Sequence, residues 1–414
     1  MRKTFVLLAL LGSAGLWAAG PAAAADQSAG VTGDWLARYT DARSLGLGGA
    51  FVALADEPLG TLWNPAGLSL LYQNEAHFET ARLYEDTGLY GFGFAMPSRH
   101  LPSFAVSILS LNSGNFDRTD ELNDPLGSFS ETDLALLLSA SKSFSPRFAM
   151  GASLKVVRQS VEEFGATGVG GDIGLMYDLT PSLRVGASVL NVGGPNLSLR
   201  TTQETFPVHY RGGLAARVLN GKGLLSGEID QTDVTGLTMH VGGEYWLYPQ
   251  VAVRFGYNDN SPSGGMSYRF PSGFEVRYAL TDDDLGMTHR LGVSYRFGGF
   301  FANSEADPEV FSPLGERSVT KIQLKSKTKA NTEEWSLDIQ DKTNHVVRRF
   351  GGKGTPPAHV MWDGKDESGL ALPDGNYTYE LTVKDDEGRT ITGRSRRVEI
   401  TTGGPQGNVP VATN

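Results

Sequence analysis

The chain has 414 residues, a formal net charge of −10 and no cysteine. The acidic balance excludes the basic face that a nucleic-acid binder needs, and without cysteine there is no disulfide, thiolate metal site or Cys nucleophile. Glycine, at 52 residues, is roughly an eighth of the chain against a usual share of about 7%, which points to crowded, strongly curved sheet.

Met1-Arg2-Lys3, the apolar run from Phe5 to Trp17 and the small residues Ala22 to Ala25 predict a cleaved secretory signal over 1–25. The run falls short of the ~20 apolar residues that a spanning helix requires. Residues 26–73 follow as a glycine-bearing segment without strand periodicity. Within it, Gly46, Gly48 and Gly49 suggest a phosphate loop. The dinucleotide pattern fails, however, because its third glycine position is Phe51, and no βαβ unit or Gly-Lys-Ser/Thr follows.

From 74 to 297 the period is two. About fourteen runs are predicted as strands, near 74–83, 88–97, 103–112, 132–143, 147–158, 168–178, 182–191, 208–218, 222–231, 237–246, 250–258, 263–270, 273–280 and 288–297. An even number of runs near the ~9–11 residues of a tilted spanning strand predicts an outer-membrane barrel. Connections near 145, 180–181, 220–221, 248–249 and 271–272 read as tight turns. Those at 113–131, 159–167, 192–207, 232–236, 259–262 and 281–287 read as longer loops. Such alternation fits short periplasmic turns and longer outer loops.

One face of these runs carries Tyr90, Phe92, Phe94, Met150, Leu154, Val156, Val185, Val189, Val253, Phe255, Val276, Tyr278, Val293 and Tyr295, assigned to lipid. The other carries Lys155, Asp172, Arg184, Arg211, His240, Glu244, Arg254, Arg269, Glu275, Arg277, Arg290 and Arg296, assigned to a polar lumen. On the lipid face each Arg or Lys would cost about 2–4 kcal/mol at mid-membrane. The competing reading is a water-soluble sandwich with that face in solvent. A barrel this wide cannot be filled by wall side chains alone, since eight strands already leave room for little more than these. Segment 26–73 is therefore expected inside as a hatch, its glycines allowing close approach and Pro65 fixing a corner.

Residues 298–318 read as a linker and 319–401 as short strands with turns at Asp363-Gly364, Pro373-Asp374-Gly375 and Asp386-Glu387-Gly388, an Ig-like sandwich. The tail 402–414 reads as disordered. No His-Glu-x-x-His, Gly-x-Ser-x-Gly or spaced calcium loop occurs, so no catalytic residue, metal or cofactor is assigned, and the protein is expected not to be an enzyme.

Three stretches resemble known families. Arg290-Leu291-Gly292-Val293-Ser294-Tyr295-Arg296-Phe297 resembles the last-strand signal of outer-membrane proteins, with Gly292, Tyr295 and Phe297 as its marks and the barrel assembly machinery as the implied partner. It departs from the usual pattern because about 115 residues follow it. Ala42 to Asp56 and the block Trp63-Asn64-Pro65-Ala66-Gly67 resemble the start of the PorV/PorQ family of FadL-like barrels. That resemblance covers about 34–300 and implies a lumenal hatch with the Asn-Pro-Ala corner deep inside. Trp362 to Gly369 and Leu372 to Tyr379 resemble the FlgD-type Ig-like domain.

The reading is thus all-β: a 14-stranded antiparallel transmembrane β-barrel in contact with outer-membrane lipid, with an N-terminal hatch and a periplasmic Ig-like β-sandwich. The resemblances imply an accessory of protein export that meets a secretion or envelope protein through the Ig-like domain. The alternatives are FadL-like passage of a hydrophobic small molecule, or a structural envelope tether. A dry apolar pocket between hatch and wall would support passage; a polar, filled lumen would count against it.

Overall fold

The computed structural model describes residues 33, 35–36, 41–83, 87–98, 101–199, 202–258, 261–283, 286–314 and 318–402. The expected signal segment and the tail beyond 402 lie outside them. Among the described residues no helix is long and apolar enough to cross a membrane.

Strands do the spanning. They are β1 (Asn74–Arg82), β2 (Gly88–Met96), β3 (Ser103–Thr119), β4 (Pro125–Ser145), β5 (Phe148–Val161), β6 (Phe164–Thr180), β7 (Leu183–Val192), β8 (Asn196–Leu199), β9 (Thr202–Thr205), β10 (His209–Val218), β11 (Gly223–Thr232), β12 (Gly236–Tyr248), β13 (Val251–Asn258), β14 (Ser261–Arg269), β15 (Phe274–Asp283) and β16 (Gly286–Phe297). All but β8 and β9 form one closed antiparallel barrel of fourteen strands, in which β10 pairs with β7 and β16 with β1. Asn74 faces Phe297, so both ends of the wall emerge at the mouth that carries the tight turns.

The outward face is apolar. Phe78, Leu154, Val169, Ile173, Leu214, Met239, Phe255 and Met266 are among its exposed side chains, a continuous surface far larger than soluble monomers tolerate. Aromatic pairs gather at the short-turn rim: Phe274 on Tyr295 at 4.5 Å, Tyr295 on Phe297 at 5.4 Å, Tyr268 on Phe270 at 4.7 Å. Such a rim is the interfacial girdle of a transmembrane barrel, and it rules out the soluble-sandwich reading.

The expected alternation of loop length does not hold. The region 113–131 is mostly strand, because β3 and β4 run on past the barrel as a ribbon carrying the Phe116–Phe129 ring pair at 5.3 Å. Only two residues separate β5 from β6, and three separate β11 from β12. Polar and glycine positions that read as loop are strand ends kept straight by cross-strand pairing. In the one long connection, 193–208, β8 and β9 form a hairpin that turns inward and buries Leu197 and Phe206.

The linker expected over 298–318 is also corrected. β17 (Phe301–Asp307) and β18 (Val310–Phe311) fall inside it and belong to the sandwich. β17 pairs with β19 (Thr320–Lys327), which pairs with β22 (His359–Trp362). The facing sheet runs β18-β25-β23-β20-β21, with β20 Thr332–Gln340, β21 Val346–Lys353, β23 Gly375–Asp385 and β25 Arg396–Ile400; β24 (Thr390–Thr392) flanks β23. The inward face of β17 is only Ala302, Ser304 and Ala306, so its period-two pattern carries little hydrophobic signal. The sandwich core centres on Trp362, with Phe311 and Tyr377 edge-on at 5.4 and 5.7 Å.

Candidate functional site

The lumen is occupied by the N-terminal segment. Asp41 opens a short helix, α1 (Ala42–Gly46), by accepting the backbone N–H groups of Arg43 and Ser44 at 2.7 and 3.1 Å, an ordinary N-cap. Gly48 and Gly49, at φ +63° and +80°, then reverse the chain, a path that glycine takes without steric cost. Two 3₁₀ turns follow, Pro58–Leu62 and Pro65–Leu70, each beginning on a proline whose fixed φ suits a first turn.

Asn64 is the hinge pin of the corner. Its Oδ1 accepts from Ala66 N at 3.0 Å, while Nδ2 donates to Val52 O at 2.8 Å and to Leu175 O of β6 at 3.0 Å. Trp63 packs edge-on against Phe51 at 5.7 Å, lies beneath the Arg211 guanidinium at 5.7 Å and donates to Gly49 O. Asn64, Pro65, Ala66 and Gly67 are all buried.

The wall is shaped to receive this segment. A Cβ placed on Gly256 would stand 2.0 Å from Gly48 N, on Gly242 2.4 Å from Leu47 O, on Gly186 2.4 Å from Val52 O, and on Gly174 1.9 Å from Asn64 Oδ1. Gly151 and Gly93 meet Pro65 and Pro58 in the same way. Wall glycines on six strands thus form the seat, which accounts for part of the glycine excess. Close approach, expected of the hatch glycines, is shared with glycines of the wall.

All twelve residues assigned to the lumen lie on the inward face. Arg254 donates to Glu244 at 2.6 Å, and Arg43 of the hatch reaches the same carboxylate at 3.1 Å. Arg277 joins Glu275 to Glu57 of the hatch. Arg296 bridges Glu75 and Glu275 at 3.0 and 3.1 Å. Arg269 donates to Glu275 and stacks on Trp246 at 4.4 Å. Lys155 pairs with Asp172 at 2.9 Å and donates to Asn191, while Arg211 pairs with Asp230 at 3.1 Å. Arg184 meets Asp178 near the short-turn rim, His240 Nδ1 donates to Gly48 O at 2.9 Å, and Arg290 is buried on β16.

Several partners were missed. Arg43, Asp56 and Glu57 belong to the hatch, where turn glycines drew the reading away from charge. Glu75, His77 and Glu79 alternate inward on β1, and Glu228 accepts from the N–H groups of Phe51 and Val52 at 2.8 and 2.7 Å. Asp41, His77 and Glu79 come within 4.8 Å of one another. Glu79 binds His77 Nε2 and Ala42 N, and both Asp41 oxygens cap α1; the cluster serves as the anchor of α1. Gly292 lies against the Glu79 carboxylate, and Tyr295 and Phe297 face outward in the aromatic girdle.

Polar and apolar groups divide the lumen between them. Toward the short-turn mouth a cavity of about 240 Å³ is lined by Arg254, Arg277, Arg296, Glu75, Glu275 and Trp246, among others. Toward the long-loop end the inward wall is Leu89, Leu109, Ala135, Val157 and Ala166, and it is packed by Trp35, Leu36, Leu197 and Phe206. Among the described residues the apolar half is packed by buried side chains.

Residues 313–387 match the FlgD Ig-like domain family. The C-terminal module is therefore FlgD-like, and its strands begin earlier than the matched region. No curated protein matches the chain. Among solved structures, the barrel is similar to the toluene transporter TbuX of Ralstonia pickettii, with 15% identity, TM-score 0.48, and 63% of this chain and 99% of that one covered. A FadL homologue from Pseudomonas aeruginosa gives 12% identity, TM-score 0.46 and coverages of 63% and 98%. The toluene transporter TodX of Pseudomonas putida gives 13%, 0.47, 61% and 96%.

Proposed function

We propose that the protein is a hatch-gated, non-enzymatic outer-membrane barrel that passes hydrophobic small molecules, with its short-turn mouth and Ig-like module in the periplasm. The carrying observation is the apolar stopper of the outer half-lumen, where Trp35, Leu36, Leu197 and Phe206 pack on Leu89, Leu109 and Val157. An apolar solute that displaces Phe206 or Leu197 exchanges one apolar contact for another. A sugar or ion would leave its own polar groups unpaired there, at a cost of about 1–3 kcal/mol each. The β3–β4 ribbon and the 193–208 connection extend from the mouth opposite the one where the wall begins and ends, and the longer extensions of such barrels belong on the extracellular side, which supports the orientation.

The closed, charged inner cavity favours a second reading, in which the barrel is a platform of the PorV/PorQ type for export or envelope assembly and the module binds the protein partner. Outer-membrane vesicles separate the two. Toluene entry, measured against a sugar of similar size, is expected to rise in Phe206→Ala while sugar entry does not. Equal entry in vesicles with and without the barrel, for the variant as for the parent, would remove the transport reading and leave the platform.

A further inference from the structure

The module begins with almost no spacer after the barrel wall. Gly298 and Gly299 alone separate β16 from Phe300, whose N–H donates to Tyr72 O at 2.6 Å. Tyr72 lies two residues beyond the second 3₁₀ turn of the hatch and two before β1. The sandwich is therefore held directly against the point where the hatch becomes the wall.

From the turn between β19 and β20, Lys329 reaches back under the hatch. It is 7% exposed; its Nζ donates to Ser69 O at 2.7 Å and lies 4.8 Å from the Tyr72 ring. Ser69 is in the last turn of the hatch's final 3₁₀ segment, where free carbonyls attract a cation. A second loop, Asp385 to Arg389, is tied to the first: Asn331 Nδ2 donates to Asp386 Oδ2 at 3.1 Å, and Asp386 N donates to Asn331 O. Glu387 and Arg389 close a cavity of about 60 Å³ against Ser69, Ser98 and Ser141.

The chemistry of this contact is unusual for a permanent interface. A buried ammonium facing a neutral carbonyl and aromatic rings gives up most of its hydration for modest return, and an apolar side chain would glue the surfaces more firmly. Burial beside Arg389 pushes the Lys329 ammonium down to about 7, so the contact is close to indifferent between its charged and neutral forms.

We infer that the Ig-like module is a latch: Lys329 holds the exit end of the hatch, and a periplasmic load on the module frees it. This rests on the reading above that the hatch moves, though not on what passes.

The test uses the absence of native cysteine. Thr61→Cys places a single thiol in the buried hatch, and its maleimide labelling rate in the full-length protein reports hatch release. Adding Lys329→Ala is expected to raise that rate by about 2- to 10-fold, as loss of one hydrogen bond to a neutral carbonyl implies. Bilayer conductance should rise with it, while the barrel keeps its heat-modifiable gel mobility. Gly256→Ala, which disturbs the seat and not the module, separates the two failures. If Gly256→Ala speeds labelling and Lys329→Ala does not, the latch is wrong and the moving hatch stands. If neither does, both readings fall.

Discussion

Adding one methyl group to Gly256 tests whether the wall glycines seat the hatch. The Cβ would stand 2.0 Å from Gly48 N and 2.4 Å from Leu47 C, both backbone atoms that no rotamer change can move. Ordinary contact begins near 3.4 Å, so the hatch backbone must lift by about 1.4 Å. That lift breaks the 2.9 Å bond from His240 to Gly48 O. Overpacking of this kind costs about 1–3 kcal/mol and the lost bond about 0.5–1.5 kcal/mol. Together they amount to about 2–4 kcal/mol, which is a rise of about 30- to 700-fold in the open population of the hatch. Planar-bilayer conductance of Gly256→Ala should show it. Gly264→Ala is the control, since Gly264 lies on the neighbouring strand facing lipid and its Cβ would meet only Arg254 O at 3.9 Å. Equal conductance in the two variants would refute the seating argument.

Arg277→Met leaves Glu57 and Glu275 buried without their shared cation; a loss of about 3–5 kcal/mol is expected, measured as a lower temperature of the heat-modifiable gel shift. Asn64→Ala removes three hydrogen bonds at the corner and should loosen the hatch by about 2–4 kcal/mol, read as faster labelling of the Thr61→Cys thiol. The latch should also depend on pH. With Lys329 lowered from 10.5 to about 7, the docked state binds fewer protons than the free loop between these values. Docking therefore strengthens as pH rises through that window and is weakest, without further change, below about 7. The groups facing it are Tyr72, itself pushed up by burial, and Arg389, Asp385 and Glu387. Conductance should fall from pH ~7 to ~10 in the parent and stay level in Lys329→Met.

The barrel was legible because lipid outside and small or polar groups inside force strict alternation, as in Gly88 to Met96 and Phe274 to Leu280. The hatch was legible from the Gly-Leu-Gly-Gly and Asn-Pro-Ala-Gly blocks. β17 was not, because Ala302, Ser304 and Ala306 bury too little apolar surface to stand out from a linker. Nor was the pairing of Glu57 with Arg277, which joins positions 220 residues apart and depends on how the hatch is threaded. The apolar inner positions Leu89, Leu109 and Val157 were hidden among inward residues read as small or polar, and only closure of the barrel brings them together with Phe206.

If the hatch moves as proposed, what it leaves behind bears on what could move it. On the charged side, Arg254 keeps Glu244, and Arg269 and Arg296 keep Glu275 and Glu75. These are pairs within the wall, and water can enter beside them. Withdrawal breaks the Arg43–Glu244 and Arg277–Glu57 contacts, while Arg277 retains Glu275. The apolar side has no such reserve. Uncovering Leu89, Leu109 and Val157 to water costs about 25 cal/mol for each Å² exposed, and only an apolar body can restore that contact. The wall therefore tolerates an absent hatch where it is charged and requires a substitute where it is greasy, so on the transport reading an apolar solute that enters as the hatch and hairpin yield would lower the cost of opening.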